Sequence, residues 1–263
     1  MKKTINDLFV FTTGNIVKMP IVFVHGFPFD YHMWDNQIKE LEKGYYCITY
    51  DIRGLGKSPA GDGQLTIESF VDDLENILNQ LELDKPVLCG LSMGGYISLR
   101  AVERMEKKFR ALILCDTKSS ADDNEGKLKR AEGVKLVNES GVENFVNQFV
   151  PNCFSESIMS KNKSVFEKVI SRSRLSSPEG VKACLLAMAG RTDTSHYLPE
   201  IKIPVLLICG EEDKLTPPGV MKFMNEKIKD SKMVVIRGAG HMTPVEAPDL
   251  VNKEIIQFIK DLK

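Results

Sequence analysis

The chain has no surplus of either charge and no apolar run long enough to span a bilayer. Its 35 Lys and Arg stand against 36 Asp and Glu, so no global field draws it toward nucleic acid or an anionic membrane. Met1-Lys2-Lys3 begins as a signal peptide would. The apolar stretch after it is only Leu8 to Phe11, Asn6-Asp7 interrupts it upstream, and no small-residue cleavage site follows. The expectation is a soluble, cytoplasmic protein. Cysteines are few, six in all, and none forms a C-x-x-C pair or joins a His/Cys cluster with metal-ligand spacing. Cys47, Cys89, Cys115 and Cys209 sit within apolar, strand-like segments and read as buried free thiols. Internal repeats and low-complexity tracts are missing. Histidine is scarce too: His25, His32, His196 and His241 are the only imidazoles on which acid–base chemistry could rest.

What is present is an alternation of short apolar runs and amphipathic segments. Thr4–Thr13 reads as a weak strand turned by Gly14-Asn15. Ile21–Val24 is a buried strand, Asp35–Leu41 a helix stopped by Gly44, and Tyr46–Tyr50 another strand. Asp51–Pro59 is a glycine-rich loop. Thr66 can cap a helix through Leu83, whose stripe is Phe70, Leu74, Ile77, Leu78 and Leu81. Val87–Leu91, a helix over Tyr96–Lys107, and a strand over Ala111–Cys115 continue the rhythm. This pace implies βαβ units and a parallel sheet with right-handed crossovers, whose strands are buried on both faces and therefore read as unbroken apolar runs. The rhythm stops after Asp116. From 118 to 197 only helical signals appear: Asp122–Glu139, Val142–Phe149, Ser155–Arg174 and Pro178–Ala189. The stretch is too long and patterned for a loop, so residues 1–117 and 198–263 form one α/β core and 118–197 a helical cap inserted into it. Within the insert, Lys127-Leu128-Lys129-Arg130 follows Asp122-Asp123 and Glu125 and reads as a solvated helix face. Strands resume at Val205–Cys209 and Met233–Ile236, and a helix runs from Pro248 to Leu262.

Gly90-Leu91-Ser92-Met93-Gly94 lies where a strand passes into a helix. In that context a Gly-x-Ser-x-Gly turn is sharp enough to hold its serine out at the end of the sheet. A serine hydroxyl needs a base to take its proton and a third group to orient that base. His241, in Gly238-Ala239-Gly240-His241-Met242 just beyond the last strand, is the candidate base. Asp213, after the preceding strand in Gly210-Glu211-Glu212-Asp213, is the candidate acid, so both loops leave the carboxyl edge where chemistry collects in open α/β sheets. Asp116, also at a strand end, is a rival acid; Glu211 and Glu212 read as a solvated loop. Acyl transfer also needs donors for a developing oxyanion. The backbone N–H of Met93, next to the serine, and that of Phe27, in His25-Gly26-Phe27-Pro28, are the candidates.

Together these segments, with Asp51-Ile52-Arg53-Gly54-Leu55-Gly56-Lys57-Ser58, resemble the α/β-hydrolase superfamily. The resemblance implies a mostly parallel sheet of about eight strands, a helical cap and no cofactor, with the Asp51–Ser58 loop structural and Arg53 tying loops together. Trp34-Asp35-Asn36-Gln37, Ala187–Asp193 and Leu198–Ile201 are similar to 3-oxoadipate enol-lactonase-like enzymes and small carboxylesterases. The stretch ahead of Ile21 departs from the pattern: relatives place two antiparallel strands there, and one is expected to be short or missing. Serine at the elbow argues against the haloalkane dehalogenases and epoxide hydrolases, which place aspartate there. What remains is hydrolysis of a small to medium, mainly apolar ester, thioester or lactone through an acyl-enzyme on Ser92. Carbon–carbon bond hydrolysis, a perhydrolase side activity or a small-molecule receptor on the same scaffold are the alternatives. Phe149, Phe154, Met159, Leu185, Leu186 and Met188 are candidate pocket residues from the insert, and Arg172, Arg174 and Arg191 its candidate anchors for an anionic lactone.

Overall fold

A turn at Asn6-Asp7, both at positive φ (48° and 64°), folds the first residues into a complete hairpin. The computed structural model describes residues 1–262, and both N-terminal strands are there: β1 (Lys2–Ile5) and β2 (Leu8–Thr13), antiparallel. Of the expectation that one strand is short or missing, only the second half is corrected: none is missing, and β1 is the short one at 4 residues. Asn and Asp tolerate the left-handed region better than other non-glycine residues, so a two-residue connection suffices and the hairpin fits the short stretch.

The remaining strands are β3 (Pro20–Val24), β4 (Tyr46–Tyr50), β5 (Val87–Leu91), β6 (Ala111–Cys115), β7 (Val205–Gly210) and β8 (Ser231–Ile236). They form one eight-stranded sheet in the order β1-β2-β4-β3-β5-β6-β7-β8. Only the β1/β2 and β2/β4 pairings are antiparallel; from β4 to β8 every pairing is parallel. The central strands β4, β5, β6 and β7 are buried at every residue, as a sheet covered on both faces requires. Six strand ends, those of β4, β3, β5, β6, β7 and β8, thus open onto one edge.

Helices α1 (Asp35–Leu41), α2 (Ile67–Gln80) and α3 (Met93–Met105) follow β3, β4 and β5. Thr66 caps α2 in a reciprocal pair with Ser69, satisfying two otherwise unpaired N–H groups. Between β6 and β7 come α4 (Asn124–Phe149), α5 (Glu156–Lys161), α6 (Lys163–Ser173) and α7 (Pro178–Ala189). The two sequence-predicted helices at the start of this segment run together as α4. Their boundary survives as a kink at Gly141, whose φ of 79° and ψ of 169° are not helical and suit a residue without a side chain. After β7 come α8 (Pro218–Lys227), a single turn α9 (Thr243–Glu246) and α10 (Pro248–Asp261). No helix among the described residues is long and apolar enough to cross a membrane. All six cysteines are buried and free.

Candidate active site

β5 runs to Leu91, and Ser92 follows at φ 54°, ψ −115°. That region is costly for a residue with a Cβ, by about 1–3 kcal/mol, so the surroundings must hold it. The Ser92 N–H donates to Cys115 O (3.0 Å), and its carbonyl accepts from Gly95 N–H (2.9 Å), Tyr96 N–H (3.1 Å) and Thr117 Oγ1 (2.7 Å). α3 begins at once with Met93, three residues before the sequence pattern places it. A Cβ at Gly94 would run into the carbonyl oxygen of Val24, so only glycine lets α3 lie this close to β3.

The loop after β7 curls around Asp213. One carboxylate oxygen accepts the N–H groups of Leu215 (2.8 Å) and Thr216 (2.9 Å); the other accepts Thr216 Oγ1 (2.7 Å) and faces His241 Nδ1 at 2.8 Å. Because the carboxylate can only accept, Nδ1 carries the proton and Nε2 is left as the basic nitrogen. Both residues are 3% exposed. Burial alone would push the Asp213 carboxyl up; the charge of His241 and the bonds from His241 and Thr216 outweigh it and hold the carboxyl below its usual range. Among the described residues the His241 ring bonds the protein through Nδ1 alone, and no hydrogen bond joins Nε2 to Ser92. Sites without substrate often close that contact only on binding.

Glu246 sets the loop that carries His241, and sequence reasoning passed over it. One of its oxygens accepts the N–H groups of Gly240 (3.0 Å) and Met242 (3.1 Å), the residues flanking His241; the other accepts Ser155 N–H (3.0 Å) at the entry to α5. The His241 N–H itself donates to Cys153 O (3.0 Å). An acid six residues downstream of Gly240 is the only local signal for it. Replacing Glu246 with Gln puts an NH2 against an N–H. The expected result is a stability loss of about 1.5–3 kcal/mol, the scale of hydrogen bonds to a charged group, with kcat falling and KM little changed. Denaturant unfolding and steady-state kinetics check this; an unchanged kcat would remove Glu246 from any positioning role.

Asp116, the rival acid, faces elsewhere. It is fully buried, at φ 45°, and it accepts from Gly210 N–H (2.9 Å), Thr243 N–H (3.2 Å) and Thr243 Oγ1 (2.5 Å). It pins the ends of β6 and β7 to α9. Burial, with the charge of Asp213 added, pushes its carboxyl well above the usual range. Glu211 and Glu212 are exposed. His25 is also accounted for: Nδ1 donates to Gly26 O (2.9 Å), Nε2 accepts Ile52 N–H (2.8 Å), and burial pushes its pKa down, keeping it neutral. His32 pairs with Asp35 and His196 with Glu103 on the surface. Arg53 grips Asp73 with two bonds, 2.9 and 2.5 Å, and Asp51 accepts Tyr31 N–H and Lys57 N–H, so that loop is braced within the fold. The N–H groups of Phe27 and Met93 have no acceptor within the protein among the described residues.

Ser92 and His241 open into one cavity of about 480 Å³. Of the pocket residues expected from the insert, Phe149, Leu185 and Met188 line it. Phe154, Met159 and Leu186 do not: Phe154 packs edge-on against Phe166, and Leu186 is 56% exposed. Tyr96, Phe145 and Leu215 line it without having been foreseen, and Phe27, expected only as a backbone donor, lines it as well. None of the three expected arginines lines it. Arg172 grips Asp30 (2.6 Å), Arg174 bonds Asn147, and Arg191 is buried against Asp122. In their place stand Lys118, Lys129 and Arg130. The reading of Lys127–Arg130 as a solvated face holds for Lys127, Leu128 and Lys129, which are all exposed, and is corrected for Arg130, whose side chain is 19% exposed and turns inward.

A family model described as the alpha/beta hydrolase fold matches residues 19–248. The chain belongs to the alpha/beta hydrolase family. It is 27% identical over 249 residues to 3-oxoadipate enol-lactonase 2 of Acinetobacter baylyi, covering 95% of this chain and 91% of that one. It is 31% identical over 251 residues to a pimeloyl-[acyl-carrier protein] methyl ester esterase of Legionella pneumophila, with 92% and 95% covered. Among solved structures, a thermophilic esterase from Thermogutta terrifontis superposes with a TM-score of 0.93 at 34% identity, covering 100% of this chain and 98% of that one. The chain is therefore an alpha/beta hydrolase with esterase and enol-lactonase relatives.

Proposed function

We propose that this hydrolase cleaves carboxylic esters of small to medium, mainly apolar acyl groups through an acyl-enzyme on Ser92, with His241 as base and Asp213 as its orienting acid. The observation that carries the reading is the buried 2.8 Å contact of Asp213 with His241 Nδ1, in the cavity onto which the strained Ser92 opens. His241 Nε2 takes the Ser92 proton as Oγ attacks the ester carbonyl. The negative charge moves to the carbonyl oxygen, where the N–H groups of Phe27 and Met93 are the proposed donors. Collapse breaks the bond to the leaving oxygen, which receives the proton from His241. Water then attacks the acyl-enzyme, giving its proton to the same nitrogen, and the acid leaves with Ser92 restored. A lactone, being an internal ester, follows the same steps. The helices from α4 to α7 act as the cap, since Phe145, Phe149, Leu185 and Met188 form the cavity wall facing the core.

A p-nitrophenyl ester series from acetate to decanoate, read beside Ser92→Ala, tests this. A cavity of about 480 Å³ is at the smaller end of ligand sites, so kcat/KM is expected to peak between butyrate and hexanoate. A wild-type rate no higher than that of the variant on every ester would refute the hydrolase reading and favour a small-molecule receptor.

A further inference from the structure

Asp213 and His241 do not meet alone. Thr216, 2% exposed, places its hydroxyl oxygen 2.7 Å from Asp213 Oδ2 and 3.2 Å from His241 Nδ1. That carboxylate oxygen is the one 2.8 Å from Nδ1, so the three atoms close a triangle. The protons in it have one arrangement. An ionised carboxylate only accepts, so the hydroxyl proton goes to Oδ2. The Nδ1 proton also goes to Oδ2 and shares a lone pair of Thr216 Oγ1. Oδ2 thus receives two donors, and the imidazole is held by two oxygens in place of one. The backbone commits Thr216 to this position. Its N–H donates to Asp213 Oδ1 (2.9 Å), so one residue clamps both oxygens of the carboxylate. Pro217 and Pro218 follow at once and stiffen the chain into α8.

Other ionisable groups surround the pair: Tyr96 of α3, Asp116 at the end of β6, Cys153 ahead of α5, Cys209 of β7 and Glu246 of α9. Among the described residues none of their side chains hydrogen-bonds the Asp213 carboxylate or the His241 ring. The cations bordering the cavity, Lys214 and Arg130, are drawn to Glu156 and Asp122. Thr216 is therefore the one side chain that touches both members of the pair. A hydrogen bond to the charged form of an acid favours that form. The same donor draws charge away from Nδ1 and so limits how strongly the carboxylate supports a proton on the ring.

We propose that Thr216 is a positioning residue for His241: its hydroxyl fixes the plane of the imidazole and moderates the charge with which Asp213 supports it. This rests on the hydrolase reading above and adds a fourth side chain to it.

Thr216→Val keeps the side-chain shape and removes the hydroxyl, whereas Thr216→Ser keeps the hydroxyl and removes a methyl. On p-nitrophenyl butyrate, Thr216→Val is expected to lower kcat on the pH plateau about two- to tenfold, the size of one neutral hydrogen bond. KM should change little, because the hydroxyl has no proton left for substrate. The sign of the pH effect follows from Oδ2. With one donor gone, the carboxylate supports the imidazolium more strongly and His241 holds its proton to higher pH. The acid limb of kcat/KM then moves up by about half a pH unit or more. Thr216→Ser should keep the wild-type limb and most of kcat. Thr216→Ala, which removes the hydroxyl without adding bulk, should move the limb as valine does. A limb and plateau unchanged in valine and alanine, or a loss in serine equal to theirs, overturns the proposal.

Imidazole NMR of His241 in Ser92→Ala, with and without Thr216→Val, reads the ring without turnover and separates the two readings. A higher titration midpoint in the double variant, with no ester hydrolysed by wild type, keeps the role of Thr216 and defeats the hydrolase reading. Ser92-dependent hydrolysis with an unmoved midpoint does the reverse.

Discussion

Ser92→Ala is expected to lower kcat/KM on p-nitrophenyl butyrate by at least about 10⁴-fold while leaving the thermal midpoint close to that of wild type. The two halves follow from different atoms. The hydrogen bonds that hold the elbow are backbone bonds of Ser92, to Cys115 O and from Gly95, Tyr96 and Thr117, and alanine retains all of them. Alanine also retains the Cβ, so the φ of 54° is no harder to hold than before. Only Oγ is lost, the atom proposed to form the acyl bond. Residual catalysis would then come from binding and oxyanion donors alone. A variant within tenfold of wild type would remove Ser92 from the chemistry. A variant that fails to fold would contradict the account of the elbow.

The second large effect separates the two buried aspartates. Asp213→Asn is expected to cost about 10⁴-fold in kcat, whereas Asp116→Asn should cost less than about tenfold and act chiefly on stability, by about 1–3 kcal/mol. The reason lies in the donors each carboxylate meets. One oxygen of Asp213 accepts two backbone N–H groups, from Leu215 and Thr216. An asparagine must therefore keep its oxygen there and turn its NH2 toward His241 Nδ1. That nitrogen then has to accept, the ring proton moves to Nε2, and the base needed by Ser92 is gone. Asp116 meets Gly210 N–H on one oxygen and Thr243 on the other, so its asparagine leaves a strand-end bond unmade without touching the His241 ring. Steady-state kinetics and denaturant unfolding on both variants decide the matter. Activity lost in Asp116→Asn and kept in Asp213→Asn would reverse the assignment.

Much of this was legible along the chain because it is local. Strand, turn and helix around Ser92 follow from an apolar run meeting closely spaced glycines, and the parallel order follows from alternation. The N-terminal hairpin was harder to see, since it depends on Asn6 and Asp7 accepting positive φ in a two-residue turn. The cavity wall was harder still. Helical period distinguishes the two sides of α4 but does not say which side meets the core, so Arg130 read as solvent-facing and Arg172 as a candidate anchor. The structure turns Arg130 toward the cavity and spends Arg172 on Asp30.

Residue order by itself determined the family, the parallel sheet and the positions of Ser92, Asp213 and His241 at strand ends, because each is set by short-range pattern and by the direction of successive strands. Tertiary structure alone decided that Asp213 and not Asp116 faces His241, that Glu246 clamps the loop on either side of it, and that Lys118 and Arg130 border the cavity. Those are distances between residues far apart in the chain. They depend on how loops and helices pack after the sheet has formed, and local propensity carries no record of it.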